Sequence, residues 1–183
     1  RENHVLYNML ADGDGGKASY ELEFPNGGIA YVIGNVIAQS AETDNTIIVA
    51  YGAEGERWPD NALYLSHNTL VNDHHAGDFL KVWAEKFAGG FEVWAINNLT
   101  VGNGNLFQPA QGRFEGNRSL SKAELIEYGG LPLRLTNSSS LRGAVRVPGS
   151  VRNINLLPSA EFTFPLGSRP LRVSSYLSPG AFQ

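Results

Sequence analysis

The sequence predicts an all-β fold: a right-handed parallel β-helix, a solenoid of three-strand coils, with an irregular C-terminal cap. Three observations lead there. An Asn recurs after an apolar run in HVLYNML (4–10), YVIGNVI (31–37), YLSHNTL (64–70) and WAINNLT (94–100). These residues, Asn8, Asn35, Asn68 and Asn98, stand 27, 33 and 30 positions apart, the period of stacked units. Each unit also divides into three short β-rich pieces parted by turn residues, with no helical periodicity between them.

The second unit reads ASYELEF, PNGG, IAYVIGNVIA, QSAETDN, and the third TIIVAYGAEG, ERWPDN, ALYLSHNTLV, NDHHAGD. The fourth follows with DFLKVWA, EKFAGG, FEVWAINNLTV, GNGN. Three strands per coil of about 30 residues fit a β-helix whose equivalent strands pair in parallel along the axis. The Asn column then marks a sharp corner, where Asn tolerates left-handed backbone. Its amides can bond from coil to coil as a ladder.

Val5, Val32, Leu65 and Ala95 align before the corner, and Leu10, Ile37 and Leu70 after it, as interior columns. One position ahead of the first column, His4, Tyr31, Tyr64 and Trp94 alternate outward as an expected exposed aromatic row. That row serves either as a stabilising stack or as a platform for sugar rings.

The repeat weakens after Asn105. LSKAELIEY (120–128) reads as a short helical excursion, or as an irregular loop with one further coil around it, ended by Gly129-Gly130. Residues 144–183 carry Pro148, Pro158, Pro165, Pro170 and Pro179, which suits a terminal cover that blocks edge-to-edge association. The expected organisation is coils over 1–105, an irregular piece over 106–143 and a cap over 144–183, all in one domain.

The chain has 183 residues, 42% hydrophobic and 17% charged, which fits a folded domain. Its 14 Lys and Arg against 18 Asp and Glu give a net charge of −4, so no broad basic surface for nucleic acid is expected. There is no cysteine, hence no disulfide, thiolate metal site or Cys nucleophile. No run approaches the roughly 18 apolar residues of a membrane-spanning helix. The opening RENHVLYN lies already inside the first repeat, which predicts that the remainder of a longer chain stands N-terminal to Arg1.

The runs SYELEFPNGGIAYVIGNVIAQS, TIIVAYGAEG, LYLSHNTLVND and VWAINNLTVG resemble bacterial right-handed parallel β-helix repeat proteins of the polysaccharide-lyase-like superfamily. The ending LLPSAEFTFP…SPGAFQ resembles the closing segment of the same group. The resemblance implies a secreted or periplasmic protein that interacts with acidic or neutral polysaccharide. It is then a polysaccharide lyase or related carbohydrate-active enzyme, or alternatively a non-catalytic binding, adhesin or structural module.

Lyases of this architecture use a Lys or Arg base, with the substrate carboxylate neutralised by a cation. Candidates here are Lys81 as base with Glu21 and Glu23, read as outward in YELEF. Ile48 and Ala50 would lie one coil further, and Lys81 and Trp83 one beyond that. The loop GAEGERWPD (52–60) offers Glu54, Glu56, Arg57 and Trp58, which with Trp83 suit substrate contacts. No cofactor is required. Asp12-Gly13-Asp14 has a spacing compatible with Ca2+, without the later Glu of a full calcium loop. Asp73-His74-His75 with Asp78 offers metal-ligating types at a spacing that makes no known zinc motif. No nucleophile elbow or phosphate loop is present.

Overall fold

The computed structural model describes residues 1–106, 112–172 and 176–183. The first coil holds β1 (Glu2–Leu6), β2 (Met9–Ala11) and β3 (Leu22–Phe24). The second holds β4 (Ile29–Ile33), β5 (Val36–Gln39) and β6 (Ile47–Tyr51), and the third β7 (Ala62–Ser66), β8 (Thr69–Asn72) and β9 (Asp78–Val82). The fourth holds β10 (Glu92–Ile96), β11 (Leu99–Gly102) and β12 (Asn105–Leu106). A partial fifth adds β13 (Gly112–Glu115) and β14 (Arg118–Leu120).

Equivalent strands pair in parallel, giving sheet A (β1-β4-β7-β10-β13), sheet B (β2-β5-β8-β11-β14) and sheet C (β3-β6-β9-β12). The expected columns are in register: Val5, Val32, Leu65 and Ala95 on sheet A, and Leu10, Ile37 and Leu70 on sheet B. Both columns belong to one interior cluster with Val49, Tyr51, Leu80 and Val82 of sheet C. Among the described residues no helix is long and apolar enough to cross a membrane.

The Asn ladder forms with one rung more than the four expected. The backbone N–H groups of Asn8, Asn35, Asn68 and Asn98 each donate 2.9 Å to the Oδ1 of the Asn one coil on, ending at Asn117. The side-chain Nδ2 of Asn35, Asn68, Asn98 and Asn117 donates back to the carbonyls of Val5, Val32, Leu65 and Ala95. The left-handed residue, however, is the one before each Asn: Tyr7 (φ 57), Gly34 (φ 68), His67 (φ 51), Asn97 (φ 56) and Gly116 (φ 65). The bend is made there, and each Asn is left with its N–H and its amide both directed along the stack.

The repeat therefore runs past Asn105, with part of that stretch at 107–111 outside the described residues. LSKAELIEY is a single 3-10 turn, Lys122–Glu124, followed by β15 (Leu125–Tyr128). β15 pairs antiparallel with β16 (Leu131–Leu135) about Gly129-Gly130. Two further hairpins follow: β17 (Ser150–Val151) with β18 (Ile154–Asn155), and β19 (Ala160–Thr163) with β20 (Gly167–Pro170).

This C-terminal part lies along the flank of the coils. Leu133, Leu135, Ala181 and Phe182 cover the outward residues Val36, Ala38, Val71, Leu99 and Val101 of sheet B. Val151, Ile154 and Leu156 cover Tyr31, Ile33, Tyr64 and Ile96 of sheet A. Polar contacts fix the cover in place. Arg152 binds Asp60 through two bonds of 2.6 and 2.8 Å and donates to the Tyr64 hydroxyl. The Ala181 N–H donates to Thr69 Oγ1 at 3.0 Å. The fully buried Glu161 receives Arg134, Arg169 and the N–H of Gln183.

The aromatic row is outward and stacked, as expected, with ring centroids 4.7 Å apart for His4–Tyr31 and 5.2 Å for Tyr31–Tyr64. Its middle is not exposed: Tyr31 is 1% and Tyr64 0% accessible, with Trp94 half-buried and only His4 at the end left in solvent. Alternation along a strand sets which way a side chain points. It says nothing of a segment some 90 residues later that packs over it.

Candidate functional site

The enzyme-like candidates do not assemble. Glu23, Ala50 and Lys81 align on the outward face of sheet C, so Lys81 sits two strands from Glu23, about 10 Å by strand spacing. The sequence reading had set Lys81 level with Glu21; register places it two residues along. Glu21 instead takes the position filled by the buried core residues Ile48 and Phe79 in the next coils. Its side chain is half-buried, and its Oε1 is buried without a hydrogen-bond partner. Desolvation, with the Asp12 charge added, pushes its pKa up to about 7. Glu23 is raised too, by burial and then by Glu54.

Trp83 lies edge-on to Tyr20 at 6.5 Å, with the Lys86 ammonium 6.0 Å from its ring. Glu54 accepts from the Asn26 amide at 3.3 Å, and the Arg57 N–H donates to the Asn26 carbonyl at 3.1 Å. Arg57 and Trp58 join Glu23 around a cavity of about 230 Å3 near the N-terminal edge of the stack. Lys81 and Trp83 do not line it. The substrate site expected between the loop 52–60 and Lys81/Trp83 is thus not formed as a single cavity there.

A larger concavity lies at the B–C corner, where each coil contributes the turn that leaves sheet B. One cavity of about 680 Å3 is lined by Asp73, His74, His75, Asn103, Lys122 and Glu124, among others. A second, of about 530 Å3, is lined by Asp12, Asp14, Ser40 and the Gly129-Gly130 hairpin tip. The two share Ala41 and Asp73 in their linings, so they adjoin as two stretches of a groove that follows the B–C corner.

Local chemistry fixes this groove. Gln39 and Asn72, both 2% accessible, continue a second amide column in its floor, with Gln39 Nε2 donating 3.1 Å to Asn72 Oδ1. Asn72 Oδ1 also takes the N–H of His74 at 3.0 Å, and its Nδ2 donates to the Asn103 carbonyl. These bonds set the path of the 73–76 turn, on which the His74 and His75 rings lie 4.1 Å apart. Lys122 reaches Asp73 at 2.5 Å. Glu124 accepts from the N–H and hydroxyl of Ser121 in a capping box, which holds its carboxyl below the ordinary range. Asp12 Oδ1 accepts the Ser40 N–H at 2.8 Å, while its Oδ2 is buried without a partner.

Sequence reasoning had named Asp12, Asp14, Asp73, His74 and His75 as two unrelated metal candidates. The fold brings them to one groove, without Asp78, which lies in β9 and lines neither cavity. Among the described residues no group of three or more His, Cys, Asp or Glu is placed to hold a metal ion. Lys122, Glu124, Asn103 and Gln39 were missed. The capping-box spacing Ser121–Glu124 was the one local signal available. The groove offers donors and acceptors for a hydroxyl-rich ligand and a path along the coils. Comparison with protein-family models, with curated proteins and with solved structures finds no match to this chain.

Proposed function

We propose that this chain is an extracytoplasmic β-solenoid that binds polysaccharide in the groove at the B–C corner. The observation that carries the reading is the groove itself. It mixes polar and apolar lining and is built from turns of successive coils, which are spaced by about 4.8 Å. A repeating polymer is the ligand such a repeating wall suits. The resemblance to polysaccharide-processing β-helices agrees with it. Tyr31 and Tyr64 in the middle of the aromatic row, the other expected sugar platform, are closed off by the C-terminal cover.

Binding without turnover is the preferred form. Lys81, Glu21 and Glu23 line neither cavity of the groove, although Glu21 feels the charge of Asp12 in its wall, and the groove's own lysine is paired with Asp73. A polysaccharide-lyase activity is the second reading, favoured by one observation: Glu21, raised to about 7, has the proton affinity of a general acid or base. Affinity electrophoresis in gels containing a panel of neutral and acidic polysaccharides tests the binding. Retardation by at least one polymer, reduced severalfold in His75→Ala, is expected. Retardation unchanged in His75→Ala and lost in Trp58→Ala would move the site to the loop 52–60. Ultraviolet absorbance of unsaturated products on uronate polymers would establish the lyase instead.

A further inference from the structure

The charges around the groove are unevenly compensated, and this bears on what kind of polysaccharide it takes. Its lining carries the carboxylates of Asp12, Asp14, Asp73 and Glu124 against the single ammonium of Lys122. Lys122 is spent on Asp73. No ion pair among the described residues reaches Asp12, Asp14 or Glu124. The Glu124 carboxyl is held ionised by the Ser121 N–H at 2.9 Å and hydroxyl at 2.8 Å. Asp12 keeps one oxygen buried and unpartnered. The residues outside the described set, 107–111 and 173–175, include no charged side chain that could offset this.

We infer that the groove selects uncharged glycans and rejects uronate polymers. The inference rests on the polysaccharide-binding reading above and narrows it to a substrate class. The physics is direct. A free carboxylate accepts strong hydrogen bonds from neutral sugar hydroxyls. The same carboxylate repels the carboxylate of a uronate, by about twofold in affinity for each pair near 8 Å in water, and less as salt screens it. Three uncompensated carboxylates together set a selectivity of about tenfold at low salt. A groove built to read uronates would present unpaired Lys or Arg in their place.

Affinity electrophoresis at 20 mM and 300 mM salt, with dextran and laminarin as neutral polymers and polygalacturonate and alginate as uronates, decides it. The expected result is retardation by a neutral polymer at both salt concentrations. Uronates should give little at 20 mM, with a gain of about twofold in Asp14→Asn and more in Asp12→Asn/Asp14→Asn. Asp14 is exposed, so its substitution leaves folding aside. Uronate binding as tight as neutral-polymer binding, weakened by salt and not improved by Asp14→Asn, overturns the selectivity and leaves polysaccharide binding standing. Retardation by no polymer at all overturns both readings together.

Discussion

At the residue scale the Asn column does more than mark the repeat. Each interior rung accepts at Oδ1 and donates twice from Nδ2, so none of its groups is left unpaired inside the coil. Substituting a middle rung strands its neighbours. Asn68→Ala removes the acceptor of the Asn35 N–H and amide and the donor to the Val32 carbonyl, all buried. A loss of about 3–5 kcal/mol is expected on denaturant unfolding, at 1–3 kcal/mol for a stranded buried group and allowing for relaxation. Asn8→Ala at the end of the ladder, where Nδ2 turns to the Leu6 carbonyl, should cost about 1 kcal/mol. The column was readable because the Asn identity is kept at every turn. The left-handed position before it was not, since Tyr, Gly, His, Asn and Gly occupy it in turn. Asn117 escaped notice because the coil before it shrinks to 19 residues.

At the scale of elements, the cover is tied to the corners by a buried imidazole. His67 is 0% accessible. Its Nδ1–H donates to Ser66 Oγ at 3.1 Å, since that hydroxyl is itself donating to the Leu156 carbonyl at 2.9 Å. Its Nε2 accepts from the Asn97 amide at 3.3 Å, which also donates 2.8 Å to the Arg146 carbonyl. Two points of the cover thus depend on a neutral ring. Desolvation lowers the His67 pKa to about 4, against about 6.5 in an unfolded chain. Between those values the unfolded chain holds the proton and the folded one does not. Stability therefore falls as pH drops from about 6.5 towards 4, by up to about 3 kcal/mol from this group. His67→Asn, which tolerates the left-handed backbone, should flatten that part of a melting-temperature profile against pH. A profile unchanged by the substitution would place the acid sensitivity elsewhere. Nothing in the sequence near His67 announces the groups that its partners Ser66 and Asn97 tie it to, the carbonyls of Leu156 and Arg146; local pattern carries strand direction and corner position, and long-range cover is settled only by packing.

At the scale of the whole molecule, the C-terminal part covers outward residues of sheets A and B, and the B–C groove remains accessible. The three-strand coils and their interior columns were legible because each coil repeats the same alternation. The groove was legible only in fragments: Asp12-Gly13-Asp14 and Asp73-His74-His75 stood out as polar turns some 60 residues apart. Stacking makes them neighbours, and the segment that completes the wall, Ser119 to Leu131, lay where the repeat faded. Hydrogen–deuterium exchange of the protein with and without a bound neutral polysaccharide tests the functional account most directly. The account predicts added protection confined to 12–16, 72–76, 102–104 and 119–131. Protection around Glu23 and Lys81 on sheet C, with the groove turns unchanged, would contradict it.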